Sequence, residues 1–303
     1  MNDEARTVNV YQVDAFTDEP LTGNPAGVIP NTNGLSDDQM QSIAAEMAVS
    51  ETAFLTESDD ADYRIRYFTP TQEVDLCGHA TIGTLGHLHE NGVLEHGTTT
   101  LETNVGVLEM EIEPDGTVWM TQDEPTIREV DVGYDRIADA LGVEQTGLEG
   151  ASADLPLAVA STGLPFLAVP TTYLSDLSGV EPDMAKIEAL TDEVEATGVY
   201  LFTFDTLESE STLHGRMFAP GAGVPEDPVT GTASGAVGAY LAEYEALDPF
   251  PDECVFEQGH FVDRAGTVGV RVDDSVQVGG EAVTILEGTL AVPPTKDDDI
   301  LEA

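Results

Sequence analysis

The second half of this chain repeats the first, and that constrains its fold more than any other feature. Asn24-Pro25-Ala26-Gly27-Val28-Ile29-Pro30 resembles Leu164-Pro165-Phe166-Leu167-Ala168-Val169-Pro170. Phe68-Thr69-Pro70 recurs as Phe218-Ala219-Pro220, and Gly78-His79-Ala80-Thr81 as Gly231-Thr232-Ala233-Ser234. Each match is short, but all three keep their order, and the drift in spacing is what insertions in a duplicated unit produce. In a chain of 303 residues, each half has room for one core of ordinary size. The expectation is an α/β (α+β) protein of two pseudo-symmetric lobes, with a ligand in the cleft between them.

Local patterns fill in that frame. Residues 8–16 alternate and read as a strand, and 23–29 as a turn followed by a strand. Ser36-Asp37-Asp38-Gln39 has the form of a capping box, and Met40, Ile43, Ala44 and Met47 continue one helical face. Strands are expected at 52–56 and 63–68, and a glycine-led helix at 78–90. Residues 99–112 and 117–121 read as a hairpin across Pro114-Asp115-Gly116. The first lobe is placed at 1–122, joined by a C-terminal strand around 283–293. The domain boundary falls near 123–131, where Glu124-Pro125 breaks the strand pattern. The second lobe follows to 282, its first helix at 135–141, and an acidic tail occupies 294–303.

Charge limits the partners. Fifty-eight Asp and Glu against ten Lys and Arg give a formal net charge of −48, spread along the chain. Nucleic acid is excluded, because phosphate binding needs clustered cations to release counterions. Self-repulsion at this level destabilises a compact state at low salt, and molar salt screens most of it. The expectation is a cytoplasmic protein adapted to a salt-rich interior. A reducing compartment agrees with only two cysteines, Cys77 and Cys254. No apolar run reaches membrane-helix length, and Met-Asn-Asp-Glu-Ala-Arg is not a signal peptide.

The chemistry concentrates at the two glycine-led helix starts. Asp75-Leu76-Cys77-Gly78-His79-Ala80-Thr81 and Asp227-Pro228-Val229-Thr230-Gly231-Thr232-Ala233 each run from an extended segment into small residues. A helix beginning there offers backbone N–H groups and a positive dipole end, and small side chains let an anion approach. The alternative use of those small residues is tight helix packing. If the lobes face each other, both starts serve one small carboxylate. Neither loop is followed by Gly-Lys-Ser/Thr, and neither carries Gly-x-Gly-x-x-Gly, so nucleotide use is not expected. Glu51, at the mouth of an apolar strand, is a candidate general base whose pKa burial would raise. His79 is a candidate hydrogen-bond donor or helix cap, and Asp227 an orienting or capping group. His87, His89 and His96 do not share a helix face and complete no zinc set, so no metal is expected. Cys77 and Thr230 occupy equivalent positions, and a hydroxyl cannot replace the second thiol of a Cys/Cys racemase.

These residues carry a resemblance. The chain resembles the PhzF family of phenazine-biosynthesis-like isomerases, of the diaminopimelate epimerase-like fold. The matching motifs are Val13-Asp14-Ala15-Phe16 with Gly23-Asn24-Pro25-Ala26-Gly27-Val28, Ser50-Glu51-Thr52-Ala53-Phe54, Arg66-Tyr67-Phe68-Thr69-Pro70, Cys77-Gly78-His79-Ala80-Thr81, Asp227-Pro228-Val229-Thr230-Gly231-Thr232-Ala233 and Glu287-Gly288-Thr289-Leu290. The resemblance implies lobes in which a mixed sheet wraps a central helix. It also implies a homodimer and a cofactor-free isomerase that moves a proton within a small unsaturated carboxylate. The family's glutamate, histidine and aspartate fall on Glu51, His79 and Asp227, and its serine on Thr232, which keeps the hydroxyl and adds a methyl. Substrate contacts fall on Cys77, Gly78, Thr230, Gly231 and Thr232. Two other readings stay open. One is an amino- or hydroxy-acid epimerase or racemase using Glu51 and Cys77 as a mixed pair. The other is a metabolite-binding protein without chemistry.

Overall fold

The computed structural model describes residues 6–32, 34–151 and 155–294. Contacts divide the chain into two compact units, residues 1–120 with 280–303, and residues 121–279. The first unit contains β1 (Thr7–Ala15), β2 (Asn24–Ile29), α1 (Asp37–Met47), β3 (Glu51–Thr56), β4 (Tyr63–Phe68), β5 (Glu73–Val74), α2 (Gly78–Glu90), β6 (Gly97–Thr103), β7 (Gly106–Ile112) and β8 (Val118–Thr121). The second contains β9 (Thr126–Glu129), α3 (Tyr134–Leu141), α4 (Gln145–Ala151), β10 (Ala158–Ser161), β11 (Pro165–Pro170), α5 (Leu174–Ser178), α6 (Met184–Val194), β12 (Gly198–Thr203), β13 (Leu213–Ala219), β14 (Val224–Asp227), α7 (Gly231–Glu243), β15 (Cys254–Gln258), β16 (Gly266–Val272) and β17 (Val276–Gly280). The last strand, β18 (Ala282–Ala291), returns to the first unit.

The duplication is written in the pairing. In the first unit β18, β1 and β2 run antiparallel in turn, β2 is parallel to β3, β3 antiparallel to β4, β4 parallel to β6, and β6, β7 and β8 antiparallel. Short β5 lies antiparallel against β4. In the second unit β9, β10, β11, β12, β13, β15, β16 and β17 follow the same series of directions, with β14 against β13. β18 therefore takes beside β1 the place that β9 takes beside β10.

Each parallel step needs a crossover, and these crossovers supply α1, α2, α5, α6 and α7, while α3 and α4 lie between the antiparallel strands β9 and β10. One, α2 or α7, is buried along most of its length against its own unit's sheet, through β1, β2, β3 and β18 or through β10, β11 and β16. Small residues make that burial possible. A Cβ on Gly86 would lie 2.7 Å from the Ala282 Cβ, and one on Gly238 would lie 2.5 Å from Val270 Cγ1. The small residues of these helices thus serve tight packing. The other crossovers carry amphipathic helices. α1 begins in the expected capping box, Ser36 with Gln39, and buries Met40, Ile43 and Ala44 against Ile29, Phe54 and Phe68. In the second unit Ile137, Leu141, Leu148, Ile187 and Leu190 cover Leu167, Val169, Val199 and Leu201.

One expectation needs correction. Residues 99–112 are not one hairpin arm, because the chain reverses at Asn104-Val105 and pairs Thr103 with Gly106. β7 then pairs with β8 across the Pro114-Asp115-Gly116 turn. Within the stretch near 123–131, Thr126–Glu129 forms β9. Apart from Pro294, the acidic tail lies outside the described residues.

Candidate active site

Glu51 is the first residue of β3, paired in parallel register with Ala26 of β2. That register requires glycine at the next rung, because a Cβ on Gly27 would stand 2.6 Å from Thr52 Oγ1 and within about the same distance of its Cγ2. Close approach of the two strands carries the Glu51 side chain to the start of α2. There Cys77 is the N-cap, in extended conformation and without a side-chain cap, and His79 is the second helical residue. His79 is therefore not the cap. The N–H groups of Gly78, His79 and Ala80 have no acceptor within the helix; that of Thr81 is the first to bond back, to Cys77 O at 3.0 Å.

Three side chains of different chemistry converge at this point. Glu51 Oε2 is 3.4 Å from His79 Nε2, with side-chain exposures of 21% and 12% that leave both reachable from solvent. Cys77 Sγ lies 3.5 Å from His79 Nδ1 and 3.9 Å from Nε2. Ser50 Oγ is 3.4 Å from His79 Nε2. Donor atoms of Glu51, Cys77 and His79 all fall within 4.8 Å of one another. Behind them, the buried Tyr67 hydroxyl on β4 lies 2.6 Å from Thr81 Oγ1, which donates to Cys77 O at 2.7 Å. Burial pushes the Tyr67 phenol far above its ordinary value, so it stays protonated and donates. This chain of bonds ties the helix start to the sheet. Tyr67 was legible as a strand residue, but nothing in the sequence gave it that task.

The second unit builds its equivalent loop from hydroxyls. Thr230 is the N-cap of α7, again with no side-chain cap. Its hydroxyl donates instead to Asp227 Oδ2 at 2.6 Å, so Asp227 orients Thr230. Gln258, buried at the end of β15, clamps the loop. Its Nε2 donates to Asp227 O at 2.9 Å and to Thr230 Oγ1 at 3.2 Å, and its Oε1 accepts from Thr230 N at 3.3 Å. Gly259 follows at φ +86°, where a Cβ would meet Arg264 O at 2.1 Å. Gln258 is a site-supporting residue that sequence reasoning missed, because it lies 28 positions from Thr230 and belongs to no motif. Gly231 and Thr232 open the helix, and the Thr232 carbonyl accepts from Thr162 Oγ1 at 3.4 Å.

A carboxylate beside an imidazole, at the positive end of a buried helix, can bind a small anion and exchange a proton with it. The spacing also weighs between mechanisms. Two groups on opposite faces of a carbon, each about 3–3.5 Å from it, would stand about 6–7 Å apart. Glu51 and Cys77 are closer than that, which suits two groups addressing one face.

The family model for phenazine biosynthesis-like proteins (PhzC-PhzF) matches residues 13–288. Over 296 residues the chain is 36% identical to a Bacillus subtilis protein named as the uncharacterized isomerase YfhB, covering 96% of this chain and 98% of the relative. A Bacillus anthracis crystal structure described as a phenazine biosynthesis protein of the PhzF family superposes with a TM-score of 0.86 at 35% identity, over 94% of this chain and 99% of that one. A hydroxyproline epimerase from Agrobacterium vitis shares the fold alone, at 14% identity and a TM-score of 0.56, over 95% and 94% of the two chains.

Proposed function

The chain belongs to the phenazine biosynthesis-like (PhzC-PhzF) family of isomerases, and on that premise we propose that it moves a proton within a small unsaturated carboxylate by general acid–base catalysis, using its own side chains. The observation that carries this reading is the half-buried Glu51 carboxylate 3.4 Å from His79 Nε2 at the uncapped start of α2.

In this reading the backbone N–H groups of Gly78 and His79 hold the substrate carboxylate. Glu51 takes a proton from a carbon beside a double bond or carbonyl, so the C–H bond breaks and its electron pair spreads into that unsaturated system. The same carboxyl returns the proton at another carbon of the system, and no other atom is gained or lost. His79 keeps Glu51 oriented and donates to the negative charge that develops. In the second unit the Thr230–Asp227–Gln258 network keeps the loop ahead of Gly231 and Thr232 in shape for polar contacts of its own.

The test is deuterium exchange in D2O, with a dihydro-hydroxyanthranilate and a panel of small amino and hydroxy acids as probes. The wild type should place deuterium in an isomerised product, and Glu51→Gln should lower the rate at least about 100-fold with little change in binding. Undiminished exchange in Glu51→Gln would remove Glu51 from the role. Exchange with inversion at one stereocentre and no double-bond migration would select an epimerase. Binding with no exchange at all would select a metabolite-binding protein.

A further inference from the structure

We propose that Glu51, Cys77 and His79 also form a capture site for a thiophilic divalent cation, zinc or cadmium, and that its occupation switches the chemistry of this site off. The switching part rests on the isomerase reading above; the capture part does not.

The donor set is the first argument. A thiolate, an imidazole and a carboxylate are the three ligand types that zinc takes from proteins. Geometry is the second. Around a tetrahedral zinc with ordinary bond lengths, sulfur and nitrogen stand about 3.5 Å apart, and nitrogen and oxygen about 3.3 Å apart. Here His79 Nε2 is 3.9 Å from Cys77 Sγ and 3.4 Å from Glu51 Oε2. Side-chain rotations close the set, small along those two edges and larger between Cys77 Sγ and Glu51, whose donor atoms stand within 4.8 Å, and the backbone positions that carry it are fixed by β3 and the start of α2. Access is the third. All three residues are partly exposed, so a cation reaches them from solvent, and a fourth position stays open to water or a substrate carboxylate.

Among the described residues, no other His, Cys, Asp and Glu side chains bring three donor atoms within 4.8 Å of one another. The duplicated loop offers an internal contrast. Thr230 and Thr232 stand where Cys77 and His79 stand, and hydroxyls are poor zinc ligands. Capture is therefore expected once per chain. A cation held this way occupies the Glu51 carboxylate and the His79 nitrogen, so neither can accept or donate a proton to a substrate. The high acidity of the surface draws cations without choosing among them; the thiol makes the choice.

The probe is Cd2+ added to the reduced full-length chain in excess Mg2+, which occupies surface carboxylates. The readout is the ultraviolet sulfur-to-metal charge-transfer absorption. One equivalent per chain should saturate it, and Zn2+ should abolish it by displacement. In the wild type, Zn2+ should also protect Cys77 from iodoacetamide, read by peptide mass, which needs no variant; Cys254 is buried. Glu51→Gln and His79→Ala, checked for native circular dichroism, should each weaken Cd2+ binding about tenfold or more. No charge-transfer band at stoichiometric Cd2+, or binding equally tight in both variants, would overturn the capture site. With capture intact, undiminished deuterium exchange in the Zn2+-loaded wild type would overturn the switch. Undiminished exchange in metal-free Glu51→Gln would instead count against the isomerase reading and leave the capture site standing.

Discussion

Glu257 has almost no contact with water, and its neighbours keep it ionised. Burial alone would raise its pKa, but the hydrogen bond from His214, the Leu207 N–H and the Ser211 side chain outweigh that and hold it down at about 2. His214 Nδ1 is 3.0 Å away, and both side chains are at most 1% exposed. The equivalent rung in the first unit, Arg64 facing Glu102 between β4 and β6, pairs the same acid with a permanent cation and leaves both partners more exposed. A carboxylate whose folded pKa lies below its ordinary 4.5 adds stability that is complete above about pH 4.5 and disappears as pH falls toward 2. Glu257→Gln should therefore cost about 3 kcal/mol near neutrality. Its deficit against the wild type should shrink by roughly 2 kcal/mol at pH 3. Urea unfolding at both pH values checks this, and an equal deficit at both would show that the cost is packing and not charge.

At the scale of elements, the two units solve one problem twice: how to hold the strand ahead of the helix start. Arg66 on β4 makes a two-pronged bond to Glu73 of β5 and stacks 5.2 Å from the Phe68 ring. Arg216 on β13 does the same with Glu226 of β14 and the Phe218 ring, also at 5.2 Å. Arg216 adds a bond to Leu177 O at 2.6 Å and lies deeper, with 7% side-chain exposure against 20% for Arg66. Lysine can supply the charge but neither the fork nor the stacking. Arg216→Lys should cost about 2–3 kcal/mol and Arg66→Lys about 1 kcal/mol, the difference following desolvation of the pair. Thermal unfolding of the two variants compares them; equal losses would mean that depth does not set the strength of these pairs. The arginines also show what the sequence could and could not disclose. The repeat was legible at Phe68-Thr69-Pro70 and Phe218-Ala219-Pro220, and extends back to Arg66 and Arg216. Their acid partners were not, because Glu73 follows its arginine by seven residues and Glu226 by ten, the short helical turn at Pro220–Ala222 having entered one copy. The turn at Asn104-Val105 was missed for a different reason. β-rich residues continue through it, and only Gly106, at φ +128°, marks the reversal. The starts of α2 and α7, by contrast, were legible to the residue, because Gly78 and Gly231 open runs of small side chains. Glu51 and His79 stand 28 positions apart in the chain, and family resemblance, not spacing, linked them before the strand–helix packing brought them together.

For the whole molecule, charge decides how stability depends on the solvent. Ten cations cannot offset 58 carboxylates wherever they sit, and several are already committed: Arg64, Arg66, Arg136, Lys186, Arg216 and Arg271 each lie on at least one acid. The folded chain therefore holds like charges closer together than the unfolded chain does, and that difference opposes folding. Screening acts on it directly. At 0.1 M salt the Debye length is about 10 Å, so neighbouring surface carboxylates still repel, whereas at 1 M it is about 3 Å and they scarcely do. Buried pairs such as His214–Glu257 are shielded from salt and should contribute equally at both concentrations. If screening returns about 4 kcal/mol, the melting temperature should rise by roughly 6 °C between about 0.1 M and about 1 M KCl. The shape of the curve identifies the cause. Repulsion is nearly spent once the Debye length falls below the spacing of neighbouring charges, so a screening gain flattens above about 1 M. A gain from exclusion of salt from the protein surface instead keeps rising with concentration. A scan from dilute buffer to about 3 M KCl distinguishes them: a plateau is expected, a steady climb would move the cause from charge to hydration, and a flat line would show that the acidic surface carries no conformational cost.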